Sequence, residues 1–291
     1  MNNLVKINDK IYYIDGLTKV GIIKINDNDV CLIDSGNDKD AGRKIKKILE
    51  ENNWNLVAIY ITHSNADHIG GNKYLQKEYG CKIYAYGIEK TFTSNTILES
   101  SFLYGGYPFD DLRHKFLMAK DSECEYLTND VLPSFMEIIK LPGHFFDMIG
   151  FKIDNVYFIA DSLSSKSVLD KYQVGFIYDV REYLNTLEKI KNISDGIFIP
   201  SHAEVTSDIK PLVDYNINKV HEIIDKILDI CSSPISFEDI LKEIFTYYNL
   251  IMNSQQYVLV GSTIKSYLSY LKDIEKIEVI FENNKMLWKK I

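Results

Sequence analysis

Apolar and polar positions alternate in short blocks over the first two thirds of the chain, and their spacing predicts strands interleaved with helices. Apolar residues three and four apart, at Ile45, Ile48 and Leu49, predict an amphipathic helix, and further helices are predicted over 72–79 and 179–193. Strand-like runs cover 11–14, 20–25, 29–33, 57–61, 82–86, 136–140, 149–153, 156–160 and 197–200. This alternation predicts a layered α/β domain.

The pattern changes after about Pro211, where three helices and a β-hairpin are predicted. The helices cover 213–230, a segment that begins at Ser236 as N-cap, and 255–271. Strands at 277–281 and 286–288 flank a polar turn. We therefore expect one domain over 1–208 and a small C-terminal domain over 209–291.

Three helices and a hairpin resemble a winged helix, a module that often binds DNA. From residue 207 onward the chain has ten lysines, no arginine and twelve Asp or Glu, a net charge of −2. A nucleic-acid-binding face needs a basic stripe. We therefore expect no nucleic-acid partner, and a packing or oligomerisation role such as a homodimer.

The segment from Thr91 to Ser134 fits no alternation of strands and helices. It is rich in aromatic residues around the turn Gly105-Gly106-Tyr107-Pro108. Three interpretations stay open for this insertion: an accessory helical pair, a lid or wall of a substrate pocket, and a dimer contact.

Composition narrows the class of protein. The chain has 291 residues, 46% of them hydrophobic, and a net charge of −8, which argues against a polyanionic substrate. No apolar run approaches the ~20 residues that cross a membrane, and the N-terminus lacks a signal-peptide layout, so we expect no membrane partner and a cytoplasmic protein. The four cysteines show no CxxC spacing and are expected to be free thiols.

The richest chemistry lies in Thr62–Gly71, which reads THSNADHIGG and directly follows the predicted strand 57–61. Two histidines and an aspartate fall within six residues there. Three more candidates stand at the ends of later apolar runs: His144, Asp161 and His202. Strand ends at one edge of a sheet converge in space, so we expect one metal site built from these residues.

With these motifs the chain resembles the metallo-β-lactamase-fold hydrolase superfamily, whose signature is THxHxDH followed by separated His, Asp and His. The resemblance covers about residues 5–205 and includes the turn Asp34-Ser35-Gly36. It implies a four-layer αββα sandwich with the metal site at one edge of the two sheets. A winged-helix-like C-terminal extension also occurs within the superfamily.

The resemblance implies a ligand set and one departure from it. It assigns His63 and His144 to a first metal, Asp67, His68 and His202 to a second, and Asp161 to a bridge between them. Asn65 stands where the first metal normally has its third imidazole. An amide oxygen is a weaker and harder donor than imidazole. We expect one or two Zn²⁺ ions, and Fe or Mn would also suit these ligands.

The implied function is hydrolysis of a small-molecule ester, thioester or amide by a metal-activated water. Asp67 would orient that water and relay its proton. The sequence contains no GxSxG motif that would indicate a protein nucleophile. A thioester substrate fits, whereas glutathione lacks support because the C-terminal segment is acidic.

Two other functions stay open. His63, His144 and Asp161 form a two-His-one-carboxylate set, the ligand type of non-haem iron oxygenases, and persulfide dioxygenases of this fold are similar in using these positions. Alternatively, Asn65 leaves the protein poor in metal and non-catalytic, with a regulatory or binding role.

Overall fold

The computed structural model describes residues 3–291, which divide into two compact units. Unit 1 contains the chain up to Leu141 together with 146–161 and 195–207, and unit 2 contains 142–145, 162–194 and 208–291. Unit 2 thus takes in two segments that precede the expected boundary at 208/209. That domain boundary stays a prediction.

The larger sheet of unit 1 has seven strands in chain order. The strands are β1 (Leu4–Lys6), β2 (Ile11–Ile14), β3 (Val20–Lys24), β4 (Asp29–Ile33), β5 (Asn55–Ile61), β6 (Lys82–Ala85) and β7 (Glu125–Tyr126). Strands β1 to β4 are antiparallel, and β4 to β7 are parallel. Parallel neighbours need crossover connections, which α1 (Lys39–Glu51) and α3 (Asn72–Tyr79) provide.

The smaller sheet of unit 1 has four strands in the order β11-β10-β9-β8. These strands are β8 (Met136–Lys140), β9 (Ile149–Ile153), β10 (Val156–Ala160) and β11 (Ile197–Pro200). Only β10 and β11 run parallel. Both therefore deliver their carboxyl ends, and the residues that follow them, to the same edge of the sheet.

Two apolar cores hold these layers together. One face of the larger sheet packs on α1, where Ile45, Ile48 and Leu49 are buried as their spacing predicts, and on α3. The other face packs against the smaller sheet, which contributes Phe151 and Phe158 to this core. Successive side chains of a strand point to opposite faces of the sheet, so the apolar residues of β2 to β5 contribute to both cores. The four cysteines are buried and free, as predicted.

The aromatic insertion contains a helical pair, as one of its three interpretations expects. The helices are α4 (Glu89–Ser94) and α5 (Ile97–Tyr104), and a 3₁₀ turn at Asp110–Leu112 and strand β7 follow. Tyr107, by contrast, is 74% exposed. The lid and dimer interpretations stay predictions.

Unit 2 is mainly helical. Its elements are α6 (Lys166–Tyr172), α7 (Val180–Lys191), α8 (Lys210–Ile230), β12 (Ile235–Ser236), α9 (Phe237–Tyr247), α10 (Ser254–Asp273), β13 (Ile277–Glu282) and β14 (Lys285–Lys290). Ser236 caps α9 by accepting a hydrogen bond from the Asp239 N–H, as predicted. The hairpin joins β12 in a three-stranded sheet. The expected helices and hairpin are present, and the winged-helix-like resemblance stays a prediction. Among residues 3–291, no helix is long and apolar enough to cross a membrane.

Candidate metal centre

The histidine-rich loop Thr62–Gly71 is held in place by hydrogen bonds to the turn that follows β4. Asp34 adopts a positive φ of 62° and is almost fully buried. Its carboxylate accepts hydrogen bonds from the Thr62 N–H at 2.8 Å and the Thr62 hydroxyl at 2.7 Å. Backbone bonds from Ser35 to the His68 carbonyl and from Gly70 to the Gly36 carbonyl, both 2.8 Å, tie the same turn to the far end of the loop.

Glycine is required where the loop returns past this turn. After the short helix α2 (Ala66–Ile69), a Cβ atom at Gly71 would lie 2.4 Å from the Ser35 carbonyl oxygen, and one at Gly70 would lie 2.3 Å from the backbone of Asn37. Both approaches are closer than any side chain tolerates. The glycines therefore let α2 sit directly on the turn, which places its side chains beside the strand ends.

Five of the predicted ligands in unit 1 form two groups that share His68. His63, His68 and Asp161 make one group, and Asp67, His68 and His202 make the other. In each group the candidate ligand atoms lie within 4.8 Å of one another. The second group contains the same three residues that the resemblance assigns to the second metal. Asp161 reaches both groups, because its two carboxylate oxygens lie 3.2 Å from His68 Nε2 and 3.1 Å from His202 Nε2.

Each histidine of these groups uses its Nδ1 atom for a hydrogen bond, which leaves Nε2 as the ligand atom. A hydrogen bond at the nitrogen that does not bind the metal fixes the ring and raises its basicity. The Thr62 hydroxyl gives its proton to Asp34, so it accepts from the His63 ring. The Nδ1 partners are Thr62 Oγ1 at 3.1 Å for His63, Asp34 Oδ2 at 2.7 Å for His68 and the Leu17 carbonyl at 2.7 Å for His202.

Asp67 has a hydrogen-bond donor that sequence reasoning missed. The Thr18 hydroxyl, in the turn between β2 and β3, donates to Asp67 Oδ2 at 2.9 Å. The same turn supplies the Leu17 carbonyl to His202. These contacts join residues 49 and 185 positions apart, and no local pattern in the sequence signals them.

The electrostatics of the centre favour positive charge. Burial disfavours a charged imidazole at His202, but Asp161 and Asp67 outweigh it and raise the pKa of His202 to about 10. Burial likewise opposes charge at His68, yet Asp161, Asp67 and Asp34 raise its pKa well above the usual range. The carboxylates therefore stabilise a cation at this position.

Asn65 is held by a glutamate from the insertion. Its Nδ2 donates to Glu99 Oε1 at 2.8 Å. The preceding residue, Ser64, donates its N–H at 2.9 Å and its hydroxyl at 2.6 Å to Glu89. Glu89 is fully buried and Glu99 is 5% exposed. Two buried carboxylates from α4 and α5 therefore contact consecutive residues of the loop.

Sequence reasoning also missed these two glutamates, although a signal for them exists. Glu89 stands three residues before Phe92 on α4, and Glu99 stands three and four residues before Phe102 and Leu103 on α5. Helical spacing puts each acid on the same face as those apolar residues. Phe92 and Leu103 are buried. An acid on the buried face of a helix is unusual enough to indicate a specific partner.

His144 belongs to unit 2, where its Nδ1 lies 3.0 Å from the Phe176 carbonyl oxygen. Its role as a ligand, like the division of ligands between two metals, stays a prediction.

The residues of this centre fit a divalent metal. Imidazole nitrogens and carboxylate oxygens are the donors that Zn²⁺, Fe and Mn take in proteins. The candidate ligand atoms of each group lie within 4.8 Å of one another, and hydrogen bonds to Nδ1 orient the imidazoles of His68 and His202.

Residues 14–202 match the family model for the metallo-beta-lactamase superfamily, and the chain belongs to that superfamily. Among curated relatives, a hydroxyacylglutathione hydrolase from Buchnera aphidicola is 25% identical over 182 residues, which is 60% of this chain and 61% of the relative. A Bacillus subtilis protein named as a probable metallo-hydrolase is 24% identical over 191 residues, 65% of this chain and 84% of that protein.

Solved structures show the same fold. A beta-lactamase domain protein from Burkholderia ambifaria has a TM-score of 0.74 at 12% identity, covering 99% of this chain and 93% of its own. A metallo-beta-lactamase family protein from Thermus thermophilus has a TM-score of 0.71 at 12% identity, covering 100% and 98%. The predicted fold class, an α/β metallo-β-lactamase sandwich, is confirmed by these likenesses and by the family match.

Proposed function

We propose that this protein is a metal-dependent hydrolase that acts on a small-molecule ester, thioester or amide. The observation that carries the proposal is the pair of ligand groups that share His68 and both contact Asp161. A mononuclear iron oxygenase needs one such group, whereas Asp67, His68 and His202 add a second. Zn²⁺ is the first metal to test, in one or two copies, with Fe or Mn as alternatives.

The metal would be held by the five residues of the two ligand groups, with Asn65 and His144 as further predicted ligands. The five are His63, Asp67, His68, Asp161 and His202. When bound, a divalent metal lowers the pKa of water towards ~7 and polarises a carbonyl oxygen. Asp67 is 37% exposed, so a water molecule can reach its carboxylate. Thr18 holds Oδ2 of that carboxylate. Asp67 can therefore orient a water molecule and accept its proton without leaving its place.

A thioester is the first substrate class to test. Several curated relatives carry the name hydroxyacylglutathione hydrolase, and glutathione is joined to the acyl group of such a substrate by a thioester. The chain spans 61% of the length of the Buchnera relative, so the whole activity of that relative is not carried over.

The decisive experiment combines elemental analysis with a substrate panel. Protein purified without added metal should contain zinc, iron or manganese at one to two ions per chain and should hydrolyse a thioester, ester or lactam. Asp67→Asn should lose most of the turnover and should weaken binding of the ion that Asp67, His68 and His202 would hold. One iron per chain with oxygen uptake on a thiol or persulfide would instead establish the oxygenase. If the protein takes up no metal at excess Zn²⁺, the result would favour a non-catalytic regulatory role over both enzymatic functions.

A further inference from the structure

We propose that Glu99 is a positioning residue that makes Asn65 a metal ligand, so that an amide–carboxylate pair replaces the imidazole that the superfamily signature has at this position. The inference rests on the proposed metal centre and adds a residue from outside the signature. It starts from the hydrogen bond of 2.8 Å between Asn65 Nδ2 and Glu99 Oε1.

The chemistry of the two groups fixes the orientation of the amide. The Glu99 carboxylate oxygen accepts, and the only donor on the Asn65 side chain is its nitrogen. With Nδ2 directed at Glu99, the oxygen Oδ1 is the atom with which Asn65 can serve a cation, because an amide nitrogen does not ligate metals of this kind. An asparagine without such a partner can rotate its amide and present either atom.

The burial of Glu99 argues that the contact has a purpose. A buried carboxylate costs several kcal/mol unless hydrogen bonds and nearby positive charge offset that cost. An accessory helix needs no buried acid for its own packing, and Phe102 and Leu103 already provide an apolar face for α5. Glu99 instead contacts the residue between the ligands His63 and Asp67. A divalent cation held by that loop would offset part of the cost of burying this carboxylate.

The test measures metal binding rather than turnover. Purified full-length variants are stripped of metal, and Zn²⁺ affinity is measured by competition with a chromophoric chelator. Visible absorption of the Co²⁺-loaded protein reports changes in the ligand set. Replacing a residue that hydrogen-bonds to a metal ligand typically weakens metal affinity 10- to 100-fold. Glu99→Ala should therefore weaken the more loosely held ion by about 10-fold or more and change the Co²⁺ spectrum.

Three further variants separate positioning from general damage. Glu99→Gln keeps an oxygen acceptor for Asn65 and should restore most of the affinity. The double variant Asn65→Ala/Glu99→Ala should be no weaker than Asn65→Ala alone, because Glu99 acts through Asn65. Ser100→Ala removes hydrogen bonds from the adjacent residue of α5 to the carbonyls of Leu112 and Leu117. It disturbs the same helix and should leave metal affinity unchanged.

Several outcomes would overturn the inference. These are an unchanged affinity in Glu99→Ala, additive losses in the double variant, or an equal loss in Ser100→Ala. If Glu99→Ala does not fold, Glu99→Gln and Asn65→Ala still decide: a Glu99→Gln variant as weak as Asn65→Ala would refute the acceptor role. A wild-type chain that binds metal without hydrolysing any substrate refutes only the proposed function. A wild-type chain that binds neither Zn²⁺ nor Co²⁺ refutes both.

Discussion

Glu89 should make the stability of this protein depend on pH near neutrality. Its carboxyl group is fully buried and accepts hydrogen bonds from the N–H and hydroxyl of Ser64 and from the Asp147 N–H at 2.9 Å. Burial is the largest influence, and it raises the pKa of Glu89 from 4.5 to about 7 despite these hydrogen bonds. The folded protein therefore keeps a proton that the unfolded chain has released.

The sign and size of the effect follow from this difference in pKa. Where the folded state binds more protons, the free energy of unfolding falls as pH rises. For Glu89 this contribution is fully present below pH 4.5 and is lost as pH rises to about 7. One pKa unit corresponds to 1.36 kcal/mol, so the loss amounts to about 3 kcal/mol.

Comparison with Glu89→Gln isolates this contribution, because the amide does not titrate. Urea denaturation of both proteins, followed by circular dichroism in EDTA between pH 4 and 8.5, gives the difference in their free energies of unfolding. The wild type should lose about 3 kcal/mol relative to the variant across this range. Glu123→Gln, which makes the same substitution at an exposed position, serves as the control. A flat difference for Glu89→Gln would refute the reasoning.

Three further predictions concern the centre itself. Thr18→Val keeps the shape of the side chain but removes the donor to Asp67, and should lower kcat about 10-fold with little loss of bound metal, as measured by steady-state kinetics and elemental analysis. Metal affinity should rise with pH, because each ion must displace protons from ligands such as His202, whose pKa is about 10; chelator competition between pH 6 and 9 checks this. Asn65→His should raise Zn²⁺ affinity, because imidazole is a stronger donor to Zn²⁺ than an amide oxygen, and unchanged occupancy in titrations would contradict it.

Elements with a local signal were predictable from the sequence. The helix bearing Ile45 and Leu49 and the strands 11–14 and 149–153 depend on the periodicity of adjacent residues, and the structure has them within a few residues of their predicted bounds. The short helix α6 was missed, since it buries little besides Leu169 and shows no clear stripe. Periodicity predicts a helix when several apolar residues lie on one buried face, and α6 buries too few residues to produce that pattern.

Contacts between distant segments were not predictable in the same way. The ligand motif was visible because its residues cluster within Thr62–Gly71, but Thr18, Glu89 and Glu99 support it from segments 25 to 49 positions away. Thr18 is an ordinary turn residue, and the helical spacing of Glu89 and Glu99 signals that each acid has a partner without indicating which one. Their roles arise only when the turn after β2 and the two helices of the insertion are packed against the loop.

The insertion consequently contributes a contact to the ligand loop that its aromatic residues did not indicate. Glu89, just before the insertion on α4, holds Ser64. Glu99 of the insertion holds Asn65, the residue at which this chain departs from the superfamily signature. An amide oxygen backed by a carboxylate is a harder donor than an imidazole, and hard donors shift preference from Zn²⁺ towards Mn²⁺. Under the proposed pairing, the metal preference of the first position is therefore set by the insertion as much as by the signature loop.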